Sequence, residues 1–325
     1  MRNQRLRALA LAAVALASAV AGPIALTGEA AATGNAGTGV IVVDDAPGPG
    51  VAYTSIQDAI AAADAGDTIE VRGGVYVEAL DVATENLSIV GDGSVTIDTS
   101  ASSSYGIDVT ADGVTFRNLR VLGPATGSSG YGFKVSGTGG PAPISVTLVD
   151  VTVVGSSKSE IDLNNVRGAT LRNVVADGDG TAGVGVAMSA TQDVLLDNVT
   201  TIDNAWGGVG LFDYEDGFHQ KNTSNVTIEY SDLRESNPLY SDLQYGGTLG
   251  DLYAPGYDYA VENPDHRESA DGRGEDFVYF QASRSDAVAF ALGLPDADRS
   301  VVRTLERDEN TGEIELGSSY VVGSD

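Results

Sequence analysis

Short segments in which apolar and polar residues alternate recur through the middle of the chain. One phrase returns several times and begins at Val114, Val146, Ala169, Val194 and Val226. The phrase is rich in β-branched residues, and its apolar residues alternate with other residues, which is the pattern of a strand with one buried face and not of a helix. Counted from these positions, the phrases start 32, 23, 25 and 32 residues apart. A period of this size predicts a stack of similar coils with insertions at the turns.

A second set of short runs lies between the phrases and predicts another strand in each coil. We align these runs on their first residues, Gly106, Gly132, Glu160, Gly183 and Gly208. The predicted inward pairs are Ile107/Val109, Phe133/Val135, Ile161/Leu163, Val184/Val186 and Val209/Leu211. The predicted outward column is Asp108, Lys134, Asp162, Gly185 and Gly210. Because no run is long enough to form a sheet alone, the pattern predicts an all-β solenoid, a parallel β-helix.

Polar residues also align within the recurring phrases. The column consists of Asn118, Asp150, Asn173 and Asn198. We expect a ladder of hydrogen bonds between coils, with these side chains buried at a turn. Asn198 also lies in an Asn-x-Thr sequon, and burial in the ladder would make it a poor acceptor for a glycan.

A short amphipathic helix is predicted before the repeats. Thr54 and Gln57 have the spacing of a capping box, and Gly66 provides a helix stop. The apolar stripe of this helix consists of Ile56, Ala59, Ile60 and Ala63. We expect the helix to cover the open end of the first coil.

The segment from Tyr53 to Leu80, YTSIQDAIAAADAGDTIEVRGGVYVEAL, resembles the N-terminal signature of secreted right-handed parallel β-helix proteins. That pectin-lyase-like superfamily includes pectin and pectate lyases, pectin methylesterases and archaeal surface proteins. The resemblance implies a right-handed solenoid with a short N-terminal capping helix, and a polysaccharide or cell-surface glycan as partner. It is specific for the fold and weak for the activity.

Four segments follow from these patterns. Residues 1–32 have the basic start, apolar run and A-x-A site of a signal peptide, and the apolar run is too short for a stable membrane anchor. Residues 33–52 form a linker and first strand, 53–236 the β-helix, and 237–325 a C-terminal cap and irregular tail, with a short helix near Asp286–Leu292. We therefore expect a secreted or cell-surface protein.

The charge of the chain indicates the environment in which the protein works and excludes some classes of partner. The net charge is −28, and only three of the 18 basic residues are lysines, Lys134, Lys158 and Lys221. This balance is typical of halophilic proteins and favours a haloarchaeal source, although an acidic mesophilic secreted protein is the alternative. Acidity argues against nucleic acid as a partner. The absence of cysteine excludes disulfides, thiol catalysis and cysteine-based zinc sites.

The outward column Asp108–Lys134–Asp162 is the first candidate site. In lyases of the β-helix superfamily, exposed faces of this kind carry acidic groups and a basic residue that abstracts the proton next to a uronate carboxylate. Two neighbouring carboxylates would raise the pKa of Lys134, which counts against Lys134 as that base. The alternative is a structural salt-bridge ladder.

Further candidates lie near the turns. Lys158, His219 and Lys221 form a second basic group, in which His219 is a candidate general base. The candidate substrate-binding residues are Arg167, Trp206 and Tyr214. Asp177, Asp179 and Asp203 fall at the same turn of consecutive coils and are candidate Ca²⁺ ligands, with an acidic halophilic surface as the alternative.

Two function classes remain open at this stage. One is an enzyme that acts on polysaccharide, specifically a lyase of an acidic uronate glycan. The other is a non-catalytic surface or glycan-binding protein. The chain lacks the complete motifs of a methylesterase or of a polygalacturonase, and the fold alone does not decide between the classes.

Overall fold

The computed structural model describes residues 39–127, 129–137, 143–180, 183–205, 207–212, 214–216, 219–221 and 223–233, and six strands between residues 241 and 321. In chain order the elements are β1 (Val40–Val43), α1 (Ile56–Ala62), β2 (Thr68–Tyr76), β3 (Leu80–Val82), β4 (Ser88–Asp98), β5 (Tyr105–Val109), β6 (Val114–Leu122), β7 (Tyr131–Ser136), β8 (Val146–Val154), β9 (Ser159–Asn164), β10 (Thr170–Asp177), β11 (Val184–Ser189), β12 (Gln192–Ile202), β13 (Gly207–Phe212), β14 (Tyr214–Asp216), β15 (His219–Lys221), β16 (Ser224–Glu229), β17 (Ser241–Tyr245), β18 (Leu252–Tyr253), β19 (Tyr259–Glu262), β20 (Phe277–Phe280), β21 (Val301–Arg307) and β22 (Ile314–Val321).

Two stacked sheets form the solenoid. Sheet A has the order β1-β2-β4-β6-β8-β10-β12-β16-β18, and its neighbouring strands are parallel. Sheet B begins with β3-β5-β7-β9-β11-β13-β17, again parallel. The chain alternates between the sheets, so each coil contributes one strand to each, over about seven turns in the described part. The prediction of an all-β parallel β-helix with one short N-terminal helix is confirmed.

The hydrophobic core lies between the inward faces of the two sheets. In sheet A the register joins Val114 to Val146, and the later phrases continue that alignment. Inward residues such as Phe116 and Phe133 are completely buried, and their rings meet edge to face at 5.0 Å. Alternation of side chains along each strand produces one apolar column per inward position. The predicted stacking of the recurring phrases is therefore confirmed.

One coil of sheet B has a different register from our alignment. Val186 pairs with Ile161, and Ala187 pairs with Asp162, so Ala187 and not Gly185 continues the outward column. Gly185 lies instead two positions before the outward column, opposite the buried Glu160. The error is a slip of two residues, because the run GVGVAMS places valine inward in either register.

Helix α1 differs from the prediction at both ends. Its N-cap is Ser55, whose hydroxyl accepts a hydrogen bond from the Asp58 N–H, and not Thr54. The helix ends at Ala62, before Gly66. The Glu78 carboxylate supplies a cap that lies outside the local sequence, because it accepts hydrogen bonds from the N–H groups of Ile56 and Gln57. Stacking of the solenoid brings Glu78 to the helix start, so local spacing could not indicate it.

The polar ladder is present, but its side chains are exposed and not buried. Asn198 donates to Asn173, and Asn173 donates to Asp150, both at 2.9 Å. Asn118 donates instead to the carbonyl of Gly91. Each of the four residues has φ near +55°, a left-handed bend that Asn and Asp tolerate better than most residues. The bend turns the chain within sheet A, and for that reason the ladder faces solvent.

Parallel stacking continues beyond residue 236, where we expected the β-helix to end. Strand β17 joins β13, and β18 joins β16. Strands β20, β19, β21 and β22 then extend sheet B in antiparallel pairs. No helix in the described part of the chain has the length and apolarity needed to cross a membrane. The predicted signal peptide and the helix near Asp286–Leu292 lie outside the described residues.

Candidate functional site

The outward face of sheet B carries the charged column that the sequence indicates. The register places Asp81, Asp108, Lys134 and Asp162 at equivalent positions of β3, β5, β7 and β9. Asp81 was missed because its short strand contains no recurring phrase. Ala187 and Gly210 continue the column without charge. The charged groups are therefore concentrated on the first four coils of the sheet.

Lys134 and Asp162 form an ion pair within this column. The Lys134 ammonium donates a hydrogen bond to Oδ2 of Asp162, and the two side chains are only 14% and 8% exposed. Burial by itself would lower the pKa of Lys134, but the charge and hydrogen bond of Asp162 outweigh it, so the pKa is raised. Lys134 therefore stays protonated and is poorly suited to abstract a proton.

Asp108 lies on the other side of Lys134 and is half-buried. Burial is the main cause that raises the pKa of Asp108, and the neighbouring charge of Asp81 raises it further. Lys134 opposes both effects but does not cancel them. This carboxyl group consequently holds its proton to a higher pH than an isolated aspartate.

Two tyrosines lie beside the column at the starts of adjacent strands. Tyr105 and Tyr131 are register partners, and their ring centroids are 5.8 Å apart in a tilted arrangement. Tyr105 is 36% exposed, which is high for a large aromatic residue on a sheet. Neither tyrosine was predicted as a site residue from the sequence, although each directly precedes an aligned glycine, Gly106 or Gly132. Extending that alignment by one residue would have revealed the pair.

Both nearby lysines approach the Tyr131 ring. The Nζ atom of Lys134 is 4.9 Å from the ring centroid, and the Nζ atom of Lys158 is 5.4 Å from it. Both distances fall within the range of cation–π attraction. The structure thus unites two residues that the sequence placed in separate candidate groups. Together, Tyr105, Tyr131, Lys134 and Lys158 form what we call the tyrosine–lysine surface.

The turn that carries Lys158 is anchored by a buried carboxyl group. Glu160 is 1% exposed, and it accepts hydrogen bonds from Ser156 N (2.9 Å) and Ser156 Oγ (2.7 Å). Burial raises the pKa of Glu160 to about 7 despite these hydrogen bonds, with a smaller contribution from Asp177 and Asp179. Glu160 was not singled out from the sequence, although it stands in a column where the other coils have glycine.

The remaining predicted residues lie elsewhere. Arg167 follows β9, at the opposite end of that strand from Lys158, where it forms an ion pair with Asp193 at 3.2 Å. Tyr214, His219 and Lys221 belong to the antiparallel pair β14–β15, in which Tyr214 is the register partner of Lys221. Trp206 lies outside the described residues. The roles proposed for these residues stay predictions.

The three candidate Ca²⁺ ligands occupy one corner of successive coils. Asp177 ends β10, and its carboxylate accepts a hydrogen bond from the Asp179 N–H at 3.0 Å. Asp203 occupies the next coil, where its carbonyl accepts from Gly180 N. Across the described residues, no group of three or more His, Cys, Asp and Glu side chains is arranged to hold a metal ion. Calcium binding at this corner stays a prediction.

Similarity to known proteins is found among solved structures. No protein-family model matches this chain, and no curated protein matches its sequence. Among solved structures, it is similar to a polygalacturonase from Erwinia carotovora ssp. carotovora, with 13% identity and a TM-score of 0.43 over 66% of this chain and 72% of that chain. The A-module of a mannuronan C-5 epimerase from Azotobacter vinelandii gives 14% identity and a TM-score of 0.40, over 58% of this chain and 66% of that chain. A rhamnogalacturonan lyase gives 11% identity and a TM-score of 0.38, over 66% of this chain and 65% of that chain. At these values the similarity concerns the fold alone.

Proposed function

We propose that this β-helix protein binds a polysaccharide at the tyrosine–lysine surface, without requiring catalysis. The observation that carries the proposal is the pairing of Tyr105 with Tyr131 on adjacent coils beside two ammonium groups. Aromatic side chains present large apolar faces with little loss of conformational entropy, which suits them to stacking against sugar rings. Ammonium groups donate hydrogen bonds to hydroxyl and carboxylate oxygens. An acidic uronate glycan fits this combination.

Substitution of the tyrosines tests the proposal. Tyr105→Ala and Tyr131→Ala should each weaken binding to immobilised uronate polysaccharides in molar salt, by roughly tenfold if about 1–2 kcal/mol of stacking is lost. Tyr230→Ala is the matched control, because Tyr230 is 82% exposed and follows β16 of sheet A. Wild-type affinity in both site variants, or equal losses in all three, would contradict a binding role for this surface.

Elimination chemistry on a uronate polymer is the second candidate function. It is favoured by the position of Asp108 and Lys134 next to the tyrosines. The ion pair with Asp162 argues against Lys134 as the base, so another group would have to accept the proton. Incubation with uronate polymers, with and without Ca²⁺, while unsaturated products are followed by absorbance, tests this candidate. Binding without such products supports the non-catalytic function.

We also propose that the protein is exported and is adapted to high salt concentration. The support is the signal-like start of the chain and the net charge of −28. N-terminal sequencing of the mature protein should find cleavage near residue 32. Thermal unfolding should move to higher temperature as salt rises to molar concentration, because screening weakens repulsion among the carboxylates.

A further inference from the structure

The tyrosine–lysine surface contains two lysines, and their electrostatic situations differ. Lys134 is paired with Asp162 in a mostly buried contact, so the pair contributes almost no net charge to the surface. Lys158 forms no ion pair with any residue in the described part of the chain. It is half-buried, and its ammonium group lies over the Tyr131 ring. The net positive charge of the surface therefore comes from Lys158.

The backbone of Lys158 is held on both sides by neighbouring coils. Its N–H donates to the Gly130 carbonyl at 2.9 Å, and its carbonyl accepts from Val184 N at 3.1 Å. In the same turn Ser157 donates to Pro124, and Ser156 is bonded to Glu160. A cation on a fixed backbone loses less conformational freedom on binding than one on a loose loop.

Negative charge lies on the opposite side of the tyrosines. Asp108 and Asp81 extend the column toward the first coil, whereas Lys158 precedes β9, one coil beyond Tyr131. An anionic group on a ligand stacked at Tyr105 and Tyr131 would be repelled from the first side and attracted to the second. Asp177 and Asp179 lie close enough to the Lys158 turn to raise the pKa of Glu160, so the attraction is confined to the Lys158 ammonium group and does not extend over the whole second side.

We infer that Lys158 is the specificity-determining residue of this surface, and that it selects ligands carrying a carboxylate over neutral ligands of the same shape. The inference rests on the proposed function, because it assumes that a polysaccharide lies on the tyrosines. At molar salt the Debye length is about 3 Å, so only charged groups in direct contact still attract each other, and the preference should decrease as salt rises.

The test compares two ligands that differ only in charge. Polygalacturonate and the same polymer after reduction of its carboxyl groups to alcohols are titrated against the full chain, and the ratio of their dissociation constants is measured. The wild type should prefer the acidic polymer by roughly fivefold, the upper range for an exposed ion pair. Lys158→Gln should bring the ratio close to one, and Lys158→Arg should restore it. Arg120→Gln removes the same charge from an exposed position of sheet A and should keep the wild-type ratio.

The outcomes separate this inference from the proposed function. If Tyr131→Ala weakens binding of both polymers but Lys158→Gln keeps the wild-type ratio, the surface binds glycan and the role of Lys158 is overturned. An equal affinity of the wild type for both polymers overturns it as well. If the wild type binds neither polymer, the proposed function itself fails.

Discussion

The side-chain amide of Gln57 binds both backbone groups of Asp81. Its Oε1 accepts a hydrogen bond from Asp81 N at 2.8 Å, and its Nε2 donates to the Asp81 carbonyl at 3.4 Å. Asp81 lies in β3, the edge strand of sheet B, so Gln57 occupies the place of a further strand. An open edge would pair with other chains. Helix α1 therefore closes this edge through one side chain as well as covering the core with Ile56 and Ile60.

Gln57→Ala should open this edge. Loss of two partly exposed hydrogen bonds should lower the free energy of unfolding by about 1–2 kcal/mol and increase self-association. Chemical denaturation and sedimentation velocity measure the two effects. Gln57→Glu keeps the acceptor for Asp81 N and loses the donor, so it should be intermediate. A monomeric Gln57→Ala protein of unchanged stability would show that the edge needs no amide.

Glu160 should make stability depend on pH. Its pKa rises from an ordinary value of 4.5 to about 7 in the folded protein, chiefly because the group is buried. The folded state thus binds more protons than the unfolded state between these values. The contribution of Glu160 to stability is complete below about pH 4.5 and is lost as the pH rises through 7.

Glu160→Gln should remove this dependence. The variant should be more stable than the wild type at pH 8, by on the order of 2–3 kcal/mol, and the advantage should vanish near pH 4.5. The amide can still accept from Ser156 N and can donate to Ser156 Oγ. Denaturant unfolding at several pH values measures the difference. Glu85→Gln, at an exposed position, is the control, and an identical pH profile in both variants would contradict the assignment.

Removal of only one partner of the Lys134–Asp162 ion pair should lower the stability of the fold. Lys134→Met leaves the buried Asp162 carboxylate without its partner and should destabilise the fold by about 3 kcal/mol. Combining it with Asp162→Leu should recover most of that loss, because no charge is then left alone. A double-mutant cycle measures the coupling. The exposed pair Arg172–Asp197, at 2.7 Å, is the comparison and should couple by less than about 1 kcal/mol. Equal coupling in both pairs would contradict this account.

The sequence predicted sheet A better than sheet B, and the reason is physical. Four of the five recurring phrases of sheet A carry an Asn or Asp at the left-handed bend, and this marker fixes the register in which they stack; the fifth phrase has Tyr230 there, also at positive φ. The run around Val184 has no such mark, and a slip of two residues preserves which side chains are buried. Misplacement of Gly185 in the outward column follows from that ambiguity.

The candidate site was only partly visible in the sequence. Alignment placed Asp108, Lys134 and Asp162 in one column, because a solenoid converts a repeated position into a spatial neighbour. It did not indicate that Lys134 would form an ion pair with Asp162 and not with Asp108, or that the Lys158 ammonium group would lie over the ring of Tyr131. Those contacts depend on side-chain rotamers and on the path of an irregular turn, which have no periodic signature.

Asn173 provides the sharpest test of the exposed ladder. It accepts from Asn198, donates to Asp150 and has φ of +54°. Asn173→Gly removes both hydrogen bonds but suits the left-handed backbone, whereas Asn173→Ala removes the bonds and also strains the backbone. Ala should therefore destabilise the protein more than Gly by about 1 kcal/mol, the reverse of their order in an ordinary strand. Asn173→Asp keeps the bend but places a second carboxylate beside Asp150, so it should recover stability as salt rises. Chemical denaturation of the three variants at low and molar salt measures these differences. If Gly is the more harmful substitution, the ladder residue is not selected for its backbone conformation.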